Sequence, residues 1–279
     1  MRLSRAHPRA AARFARRRAL AYPARLMSLH AATPFTRWFD ALEARHLATL
    51  TFPEVRRALE ALSAVYVQRR DRLHAGADLE TAGKRAAFAL FYGPLHFLVA
   101  EHVARELALA DAGVSRVLDL GCGTGVVGIA AALACGGVAF EGVDRNRWAV
   151  AEARWNAEQF ALAAQARPGD LLRARPAAAG TLVTLGWAVN ELEDDARDVL
   201  AGRVAEWRRA GSGTLVIEPI ARRMSPWWDD WAALFRAHGG RADEWAFAPR
   251  FPERLALMDK AAGLDHREMK ARTLYLPPR

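Results

Sequence analysis

The hydrophobic residues of this chain follow two different periods, a helical one first and a strand–helix alternation afterwards. From about Thr36 to Leu109 apolar residues recur every three or four positions, which is typical of helices that bury one face. A Gly-Pro pair at 93–94 interrupts the apolar stretch 86–109 and predicts two helices, the second beginning near Pro94. We therefore predict a helical first part.

From Arg116 onward, short apolar segments alternate with helical ones. The predicted strands are Arg116–Leu120, Val138–Val143, Leu182–Trp187, Gly213–Glu218, Glu244–Ala248 and Arg272–Leu276. The predicted helices between them are Val126–Ala134, Arg147–Ala161, Asp194–Ala210 and Glu253–Ala262. This alternation is typical of an α/β fold, a doubly wound and mostly parallel sheet. The pattern thus predicts a basic arm over residues 1–34, a helical cap domain over 35–112 and a nucleotide-binding domain over 113–279.

Composition narrows the class of protein. Hydrophobic residues make up 52% of the 279 positions, which excludes a disordered chain. Two cysteines, Cys122 and Cys135, are too few for a disulfide framework, so we expect a reducing, cytoplasmic setting. The longest uncharged run, 120–140, carries six glycines, and we expect no membrane span. The eight histidines show no metal-ligand spacing, so we expect no metal.

The positive charge is concentrated in the first quarter of the chain. Residues 1–75 hold fifteen arginines, no lysine and five acids, a net charge of +10, whereas the remainder carries −1. Three interpretations stay open for this arm: a phosphate contact, an organellar transit peptide and a solvated tail. A transit peptide would move the expected location from the cytoplasm to an organelle.

The most specific motif is Val-Leu-Asp-Leu-Gly-Cys-Gly-Thr-Gly at 117–125. A predicted strand runs into Gly121, Gly123 and Gly125, and a helix follows, so exposed amides at the helix start favour a negative ligand group. Asp119 stands two residues before the first glycine, where it suits a ligand with a cationic amino-acid end rather than a pyrophosphate.

Two further acids follow predicted strands. Asp144 ends the second strand, at the position where a carboxylate accepts hydrogen bonds from ribose hydroxyls. Asp170 lies before the strand that begins at Leu182, where an adenine amino group could lie. The three acids and the glycine loop predict a nucleoside ligand with an amino-acid end.

These motifs resemble the class I, Rossmann-like S-adenosylmethionine-dependent methyltransferases over about Arg116 to Glu218. The resemblance implies a seven-stranded sheet and S-adenosylmethionine as cofactor. It implies that the three glycines pack under the methionine and ribose and that Asp119 lies close to the amino-acid end. Asp144 would bind the ribose and Asp170 the adenine edge.

Three segments carry a narrower resemblance: the helical stretch 86–106, Asn190-Glu191-Leu192, and Val216-Ile-Glu-Pro219. They are similar to the methyltransferase-like proteins of the mitochondrial small ribosomal subunit and their bacterial relatives. That family implies ribosomal RNA or small-subunit assembly as the context. Its members often carry a cysteine cluster for an iron–sulfur centre, but no cysteine follows Cys135, so no cluster is expected here.

The candidate catalytic pair is Asn190 and Glu191, just past the fourth strand of the predicted set. Asn190 would hold an acceptor amine or hydroxyl and Glu191 would accept a proton; the alternative is that the pair caps the next helix. Tyr92 and His96 would cover the cofactor, or be ordinary core residues. Glu218 would bound the acceptor pocket.

A group of aromatic residues after the fifth strand of the α/β part falls on one helix face. We expect core packing, with a stacking surface for an unpaired base as the alternative; the residues are Trp227, Trp228, Trp231 and Phe235.

The predicted function is an S-adenosylmethionine-dependent methyltransferase acting on RNA of the small ribosomal subunit. Two alternatives remain: a small-molecule methyltransferase, and a ribosome assembly factor that binds the cofactor without transferring its methyl group. The oligomeric state stays undecided.

Overall fold

The structure, a computed structural model, describes residues 33–68, 79–174, 178–221 and 225–279. Backbone contacts divide the chain into Met1–Arg37 and one compact unit, Trp38–Arg279. The helices predicted as a separate cap therefore belong, from Trp38 on, to the same unit as the sheet. Of the predicted basic arm, residues 1–32 lie outside the described residues.

The first part of the described chain is helical, as its hydrophobic period predicts. Its helices are α1 (Pro34–His46), α2 (Phe52–Gln68), α3 (Ala82–Ala87) and α4 (Gly93–Glu106).

The second predicted helix begins at Gly93, one residue from its predicted start, but the predicted interruption before it is wrong, because the chain stays helical through both residues. Phe88–Tyr92 forms a π-helical turn that joins α3 to α4, and Gly93 keeps helical dihedrals with φ −54° and ψ −57°. Pro94 is tolerated since it stands in the first turn of α4, where its missing N–H costs little. The consequence is one continuous helical segment with a widened turn in its middle, and such turns are frequent at functional sites.

Seven strands form one sheet in the order β3-β2-β1-β4-β5-β7-β6, with β7 antiparallel to both of its neighbours. The strands are β1 (Arg116–Leu120), β2 (Ala139–Asp144), β3 (Ala164–Pro168), β4 (Thr181–Gly186), β5 (Gly213–Glu218), β6 (Arg241–Phe247) and β7 (Met269–Leu276). The strand order reverses between β1 and β4, which opens a crevice beyond their carboxyl ends.

One strand was not predicted. β3 lies at the edge of the sheet, and of its five residues only Ala166 is buried. An edge strand with one buried residue lacks the apolar pattern that identifies the central strands.

Helices cover both faces of the sheet between the strands. They are α5 (Val126–Ala134), α6 (Arg147–Gln159), α7 (Asp194–Arg209), α8 (Trp228–Ala237) and α9 (Glu253–Ala261). The aromatic face of α8 is buried: Trp231 and Phe235 are at most 4% exposed and pack in the main core cluster. Core packing is thus confirmed for this group, and its interpretation as a base-stacking surface is wrong.

Hydrogen bonds tie α1 to the α/β part of the molecule. The indole Nε1 of Trp38 donates to Asn156 on α6 at 2.9 Å, and the Asn156 amide donates to the carbonyl of Thr124 at 2.9 Å. A few residues further on, Arg45 and His46 both contact the buried carboxylate of Glu152. A buried polar chain therefore links the first described helix to the glycine loop.

One helical segment, Ala82–Glu106, has the length and mean hydropathy of a membrane span. In the most apolar part of this segment, 67% is buried inside the molecule, mainly against α5 and α2. Burial of this kind is what a core helix of a folded domain shows, and it accounts for the apolar character of the segment.

We expect Gly128→Ala to lower the free energy of unfolding by about 1–3 kcal/mol. An added Cβ would lie 2.6 Å from Phe140 and 2.7 Å from the Cβ of Asp119, so α5 must move away from β1. Denaturant unfolding of the purified protein measures the change. Gly202→Ala is the matched control, because Gly202 is exposed on α7 and an added Cβ would meet nothing within 4 Å. We expect this variant to raise the free energy of unfolding by about 0.5–1 kcal/mol. Equal stability of the two variants would contradict this packing.

Candidate active site

The predicted glycines form the loop between β1 and α5. Gly121, Gly123 and Gly125 all have φ between 51° and 78°, the left-handed region that favours glycine. At Gly125 a side chain would also meet Ala153 at 2.9 Å, whereas nothing lies within 4 Å of a Cβ at Gly123. Gly125 is therefore required by packing, and Gly123 leaves open space beside the backbone, where a ligand can approach.

Asp119 lies beneath this loop and is buried, with 1% of its surface exposed. Its two carboxylate oxygens accept hydrogen bonds from the Thr184 hydroxyl at 2.8 Å and the Gly128 amide at 3.0 Å. The predicted place of Asp119 close to the amino-acid end of a ligand stays a prediction. Asp119 holds the start of α5 and the end of β4 together. Burial raises the pKa of this carboxyl to about 7 against the two hydrogen bonds, which lower it.

Asp144 and Asp170 stand side by side at the ends of neighbouring strands. The Asp144 carboxylate accepts hydrogen bonds from the backbone amides of Gly123 at 2.8 Å and Asn146 at 2.7 Å. The backbone amide of Gly169 donates to the Asp144 carbonyl at 2.9 Å, which brings Asp170 to the same edge. Since a carboxylate has about four acceptor positions, Asp144 retains capacity for ribose hydroxyls.

The Asp170 carboxylate is held in place from two sides. It accepts a hydrogen bond from the Leu172 amide at 3.0 Å and forms an ion pair with Arg145 at 2.9 Å. The side chain is partly exposed and carries its charge at the rim of the sheet. The predicted role of Asp170 at an adenine edge stays a prediction.

A cavity of about 370 Å³ begins at the glycine loop and extends past the ends of β4 and β5. Residues from four parts of the chain line it: Phe88, Tyr92, His96, Cys122, Gly123, Thr124, Val126, Val127, Gly186, Trp187, Asn190, Glu191, Glu218 and Pro219. It therefore joins the predicted cofactor loop to the predicted catalytic pair.

Asn190 is held by a network that fixes both ends of its amide. Its Oδ1 accepts hydrogen bonds from the Ser225 hydroxyl and, at 3.0 Å, from the Trp227 indole, while its Nδ2 donates to Glu218 at 2.8 Å. The backbone amides of Val189 and Asn190 donate to the same carboxylate at 3.0 and 3.1 Å. Asn190 is predicted to hold an acceptor amine or hydroxyl through its amide; in the structure the oxygen of this amide already accepts two hydrogen bonds and its nitrogen donates to Glu218.

Two carboxyl groups border this network. Burial raises the pKa of Glu218 to about 8, and the nearby charge of Glu191 adds to the shift, whereas the backbone hydrogen bonds and Arg272 lower it. Glu191 stands at the cavity mouth, where partial removal from water and, second, the charge of Asp144 raise its pKa to about 7. Both groups therefore titrate near neutral pH, the range of general acids and bases.

An aromatic wall closes the other side of the cavity. The rings of His96 and Trp187 stack with centroids 3.8 Å apart and an interplanar angle of 9°. Tyr92 lies next to His96, and burial raises the pKa of its phenol while a hydrogen bond with Ser63 lowers it. Burial lowers the pKa of His96 to about 3, so its ring is neutral. Tyr92 and His96 thus line the cavity, and their predicted role of covering the cofactor stays a prediction.

Sequence reasoning missed two contributors, Trp187 and Thr184. Trp187 follows β4 directly and has a φ of 53°, an uncommon value for a side-chain-bearing residue that costs energy and clusters at functional sites. Thr184 supplies the hydroxyl that holds Asp119. A tryptophan at the end of a central strand was the available signal for the first; nothing in the sequence marked the second.

Neither cysteine nor metal chemistry is indicated by the side chains around the site. Cys122 packs with Val150, Ala153 and Ala166, and burial raises its pKa well above the ordinary thiol value, so it is a packing residue. In the part of the chain that the structure describes, no group of three histidine, cysteine, aspartate or glutamate side chains is placed to hold a metal ion.

Residues 100–184 match the family model described as methyltransferase small domain. No curated protein sequence matches the chain significantly. Among solved structures, mitomycin 7-O-methyltransferase is similar at 18% identity, over 91% of this chain and 75% of its own, with a TM-score of 0.50.

Two further structures are similar in the same way. A putative O-methyltransferase from Nostoc punctiforme PCC 73102 has 14% identity over 84% of this chain and 71% of its own, with a TM-score of 0.50. Magnesium protoporphyrin IX methyltransferase from Synechocystis PCC 6803, solved with bound S-adenosylmethionine, has 15% identity, coverages of 83% and 99%, and a TM-score of 0.46.

The fold of this chain is therefore that of the class I, Rossmann-like methyltransferases, and the predicted resemblance to that class is confirmed. The cofactor that this class implies is S-adenosylmethionine, as predicted. The residues present fit it, because open space at Gly123 adjoins the spare acceptor capacity of Asp144. The narrower resemblance to small-subunit proteins stays a prediction.

We expect the buried Asp119 carboxyl to make folding stability depend on pH. Its folded pKa of about 7 exceeds the unfolded value of about 3.9, so the folded state holds the extra proton and stability falls as pH rises from 4 to 7. Asp119→Asn should flatten this decline by up to about 1.4 kcal/mol per pH unit in denaturant unfolding. Asp198→Asn, on the exposed face of α7, should leave it unchanged. An identical decline in Asp119→Asn would contradict the assignment.

Proposed function

We propose that this chain is an S-adenosylmethionine-dependent methyltransferase. The observation that carries the proposal is the continuous cavity that joins the open position at Gly123 to Asn190 and Glu218. Methyl transfer needs a nucleophile held against the methyl group, and positioning supplies much of the catalysis. When bound, the cofactor supplies an electrophilic methyl group on a sulfonium.

The residues of the chain divide this work between the strand ends that carry Asp144 and Asp170 and the cavity that begins at the glycine loop. Asp144 would accept hydrogen bonds from the ribose, and Asp170 would lie at the adenine edge. The glycine loop lies against the methionine part. Tyr92 covers the cofactor from the π-helical turn, and the cluster of Asn190, Glu191 and Glu218 faces the acceptor. Support for this division is the placement of each group around one cavity and one strand edge.

For the acceptor we propose RNA of the small ribosomal subunit. The support is the excess of arginine in the first 75 residues, a net charge of +10 that would be attracted to phosphate groups, together with the narrower sequence resemblance. The chain would then act in the cytoplasm, or in an organelle if the basic arm directs it there.

One observation favours a second candidate, methyl transfer to a small molecule. The cavity volume of about 370 Å³ lies at the lower end of the ~300–1,000 Å³ range of small-ligand sites, and aromatic and aliphatic side chains form most of its wall. A free metabolite would satisfy this wall without any contribution from the basic arm.

We expect Asp144→Asn to weaken S-adenosylmethionine binding at least about tenfold, because a hydrogen bond to a charged group contributes about 1.5–3 kcal/mol. Isothermal titration calorimetry measures the affinity. Glu158→Gln, an exposed acid on α6, is the matched control and should bind like the unaltered protein.

The same variants test transfer with methyl-tritiated cofactor and fractionated host lysate. Label in RNA that is lost in Asp144→Asn supports the RNA acceptor, and label in small molecules supports the second candidate. Cofactor binding without transfer to any fraction would contradict catalysis and leave an assembly factor; absence of cofactor binding would overturn the whole proposal.

We expect deletion of residues 1–34 to reduce the salt dependence of RNA binding. The deleted segment carries eight arginines and no acid, and each phosphate neutralised contributes a slope of about −0.7 to −0.9 in log K against log salt. Filter binding over a salt series measures both slopes. An unchanged slope in the shortened protein would exclude the arm as an RNA contact.

A further inference from the structure

Glu218 borders the cavity with a carboxylate whose hydrogen-bond acceptor positions are nearly all occupied. Its side chain is buried, with 0% exposed, and borders the cavity between the glycine loop and the ends of β4 and β5. Two backbone amides donate to Oε1, and the Asn190 amide donates to Oε2. Because a carboxylate has about four acceptor positions, roughly one remains.

Asn190 cannot take over this accepting role. Its Oδ1 already receives the Ser225 hydroxyl and the Trp227 indole, which occupy both lone pairs of the amide oxygen. Its Nδ2 is a donor and points at Glu218. Asn190 therefore positions Glu218, and a nucleophile that carries a proton finds its buried acceptor at Glu218.

The wall of the cavity selects against anions. Among the described residues, its lining includes two carboxyl groups, Glu191 and Glu218, and no lysine or arginine. Four rings, those of Phe88, Tyr92, His96 and Trp187, form a large part of the remaining surface. A flat, uncharged ring packs against such a wall, whereas a carboxylate or phosphate would face two acids with no cation to offset them.

We propose that the methyl acceptor is an uncharged planar ring that carries an N–H or O–H nucleophile, and that Glu218 receives the hydrogen bond and then the proton of this group. This inference rests on the proposed methyltransferase function. In the transfer, the nitrogen or oxygen of the ring bonds to the methyl carbon, and the carbon–sulfur bond breaks with its electron pair staying on sulfur. The proton passes to the Glu218 carboxylate and from there to water.

The charged groups around Glu218 set the pH at which it can accept a proton. Glu191 faces it from the turn after β4, and Arg272 stands opposite it in register on β7. His96 across the cavity is neutral. Burial outweighs Arg272, so the pKa of Glu218 is about 8 and its ionised, accepting form grows as pH rises through 8.

The test measures binding of small ring probes to protein saturated with S-adenosylhomocysteine at pH 9, where Glu218 is ionised. Phenol and aniline offer O–H and N–H donors, anisole offers none, and benzoate is an anion. By ligand-observed NMR we expect phenol and aniline to bind about tenfold tighter than anisole and benzoate. Benzoate binding as tightly as phenol would overturn the proposal in the unaltered protein, without any variant.

The variant Glu218→Gln tests whether the Glu218 side chain causes the preference for rings that carry a hydrogen-bond donor. It should bring the phenol-to-anisole ratio close to one, whereas the exposed control Glu206→Gln should keep it. In label transfer to the acceptor fraction, activity should rise about tenfold per pH unit below pH 8 in the unaltered protein and lose this rise in Glu218→Gln. A retained ratio, or an unchanged pH profile, would overturn the role of Glu218.

Failure of this proposal is distinguishable from failure of the proposed function. A protein that binds no cofactor and transfers no label refutes the methyltransferase function itself. A protein that does both, but shows no donor preference, refutes only the assignment of the acceptor.

The probes also separate two sources of the same ring chemistry, a free molecule and an unpaired base in RNA. Cytidine and a short single-stranded RNA containing cytidine are compared under the same conditions. Tighter binding of the RNA than of cytidine supports an RNA base as the acceptor, and equal binding supports a free ring. Both results agree with the proposal. If the protein binds neither of them and does not bind phenol, the proposal is contradicted.

Discussion

The loop that adjoins the candidate cofactor site depends on one buried carboxylate. Asp119 stands on β1 and accepts hydrogen bonds from a hydroxyl on β4 and from an amide in the first turn of α5. It therefore connects β1 both to the helix that follows it and to a strand 65 residues further along the chain. An isolated buried charge would be costly, but here two hydrogen bonds and a raised pKa reduce that cost. With Asp119 in place, the glycine backbone between β1 and α5 has a defined path, and the Gly123 amide meets Asp144.

A second polar group, the Asn190 amide, organises the opposite end of the cavity, and its hydrogen-bond partners come from a different part of the chain. Around Asp119 the partners come from one neighbouring strand and a helix. Asn190 is instead oriented by Glu218, the last residue of β5, on one side and by Ser225 with Trp227, which follow β5, on the other. The amide is held at both ends, so its orientation does not depend on a ligand. The cavity thus has a cofactor edge and an acceptor edge that are preorganised independently, which is the arrangement that transfer between two bound molecules requires.

The central strands and the ligand loop were predictable because the sequence signals that mark them are local. The apolar run before Gly121 and the spacing of Asp144 after it are local signals, and β1, β2, β4 and β5 appear within two residues of their predicted limits. Edge strand β3 and the helical path through Gly93 escaped prediction, because a polar edge strand and a π-helical turn are decided by tertiary packing. Asp119 and Asn190 themselves were predicted as site residues, but their hydrogen bonds to Thr184 and to Glu218, Ser225 and Trp227 were not, because these partners lie 65 and 28 to 37 residues away in sequence.

The chain of hydrogen bonds from Trp38 through Asn156 to Thr124 has a thermodynamic consequence. Thr124 belongs to the glycine loop, so a ligand that orders this loop also stabilises the docking of α1, and α1 docking must strengthen ligand binding by the same factor. Docking of α1 and ligand binding at the loop would therefore share a reciprocal free-energy linkage. Any partner that holds α1 in its docked state would increase the affinity for the ligand without contacting the cavity.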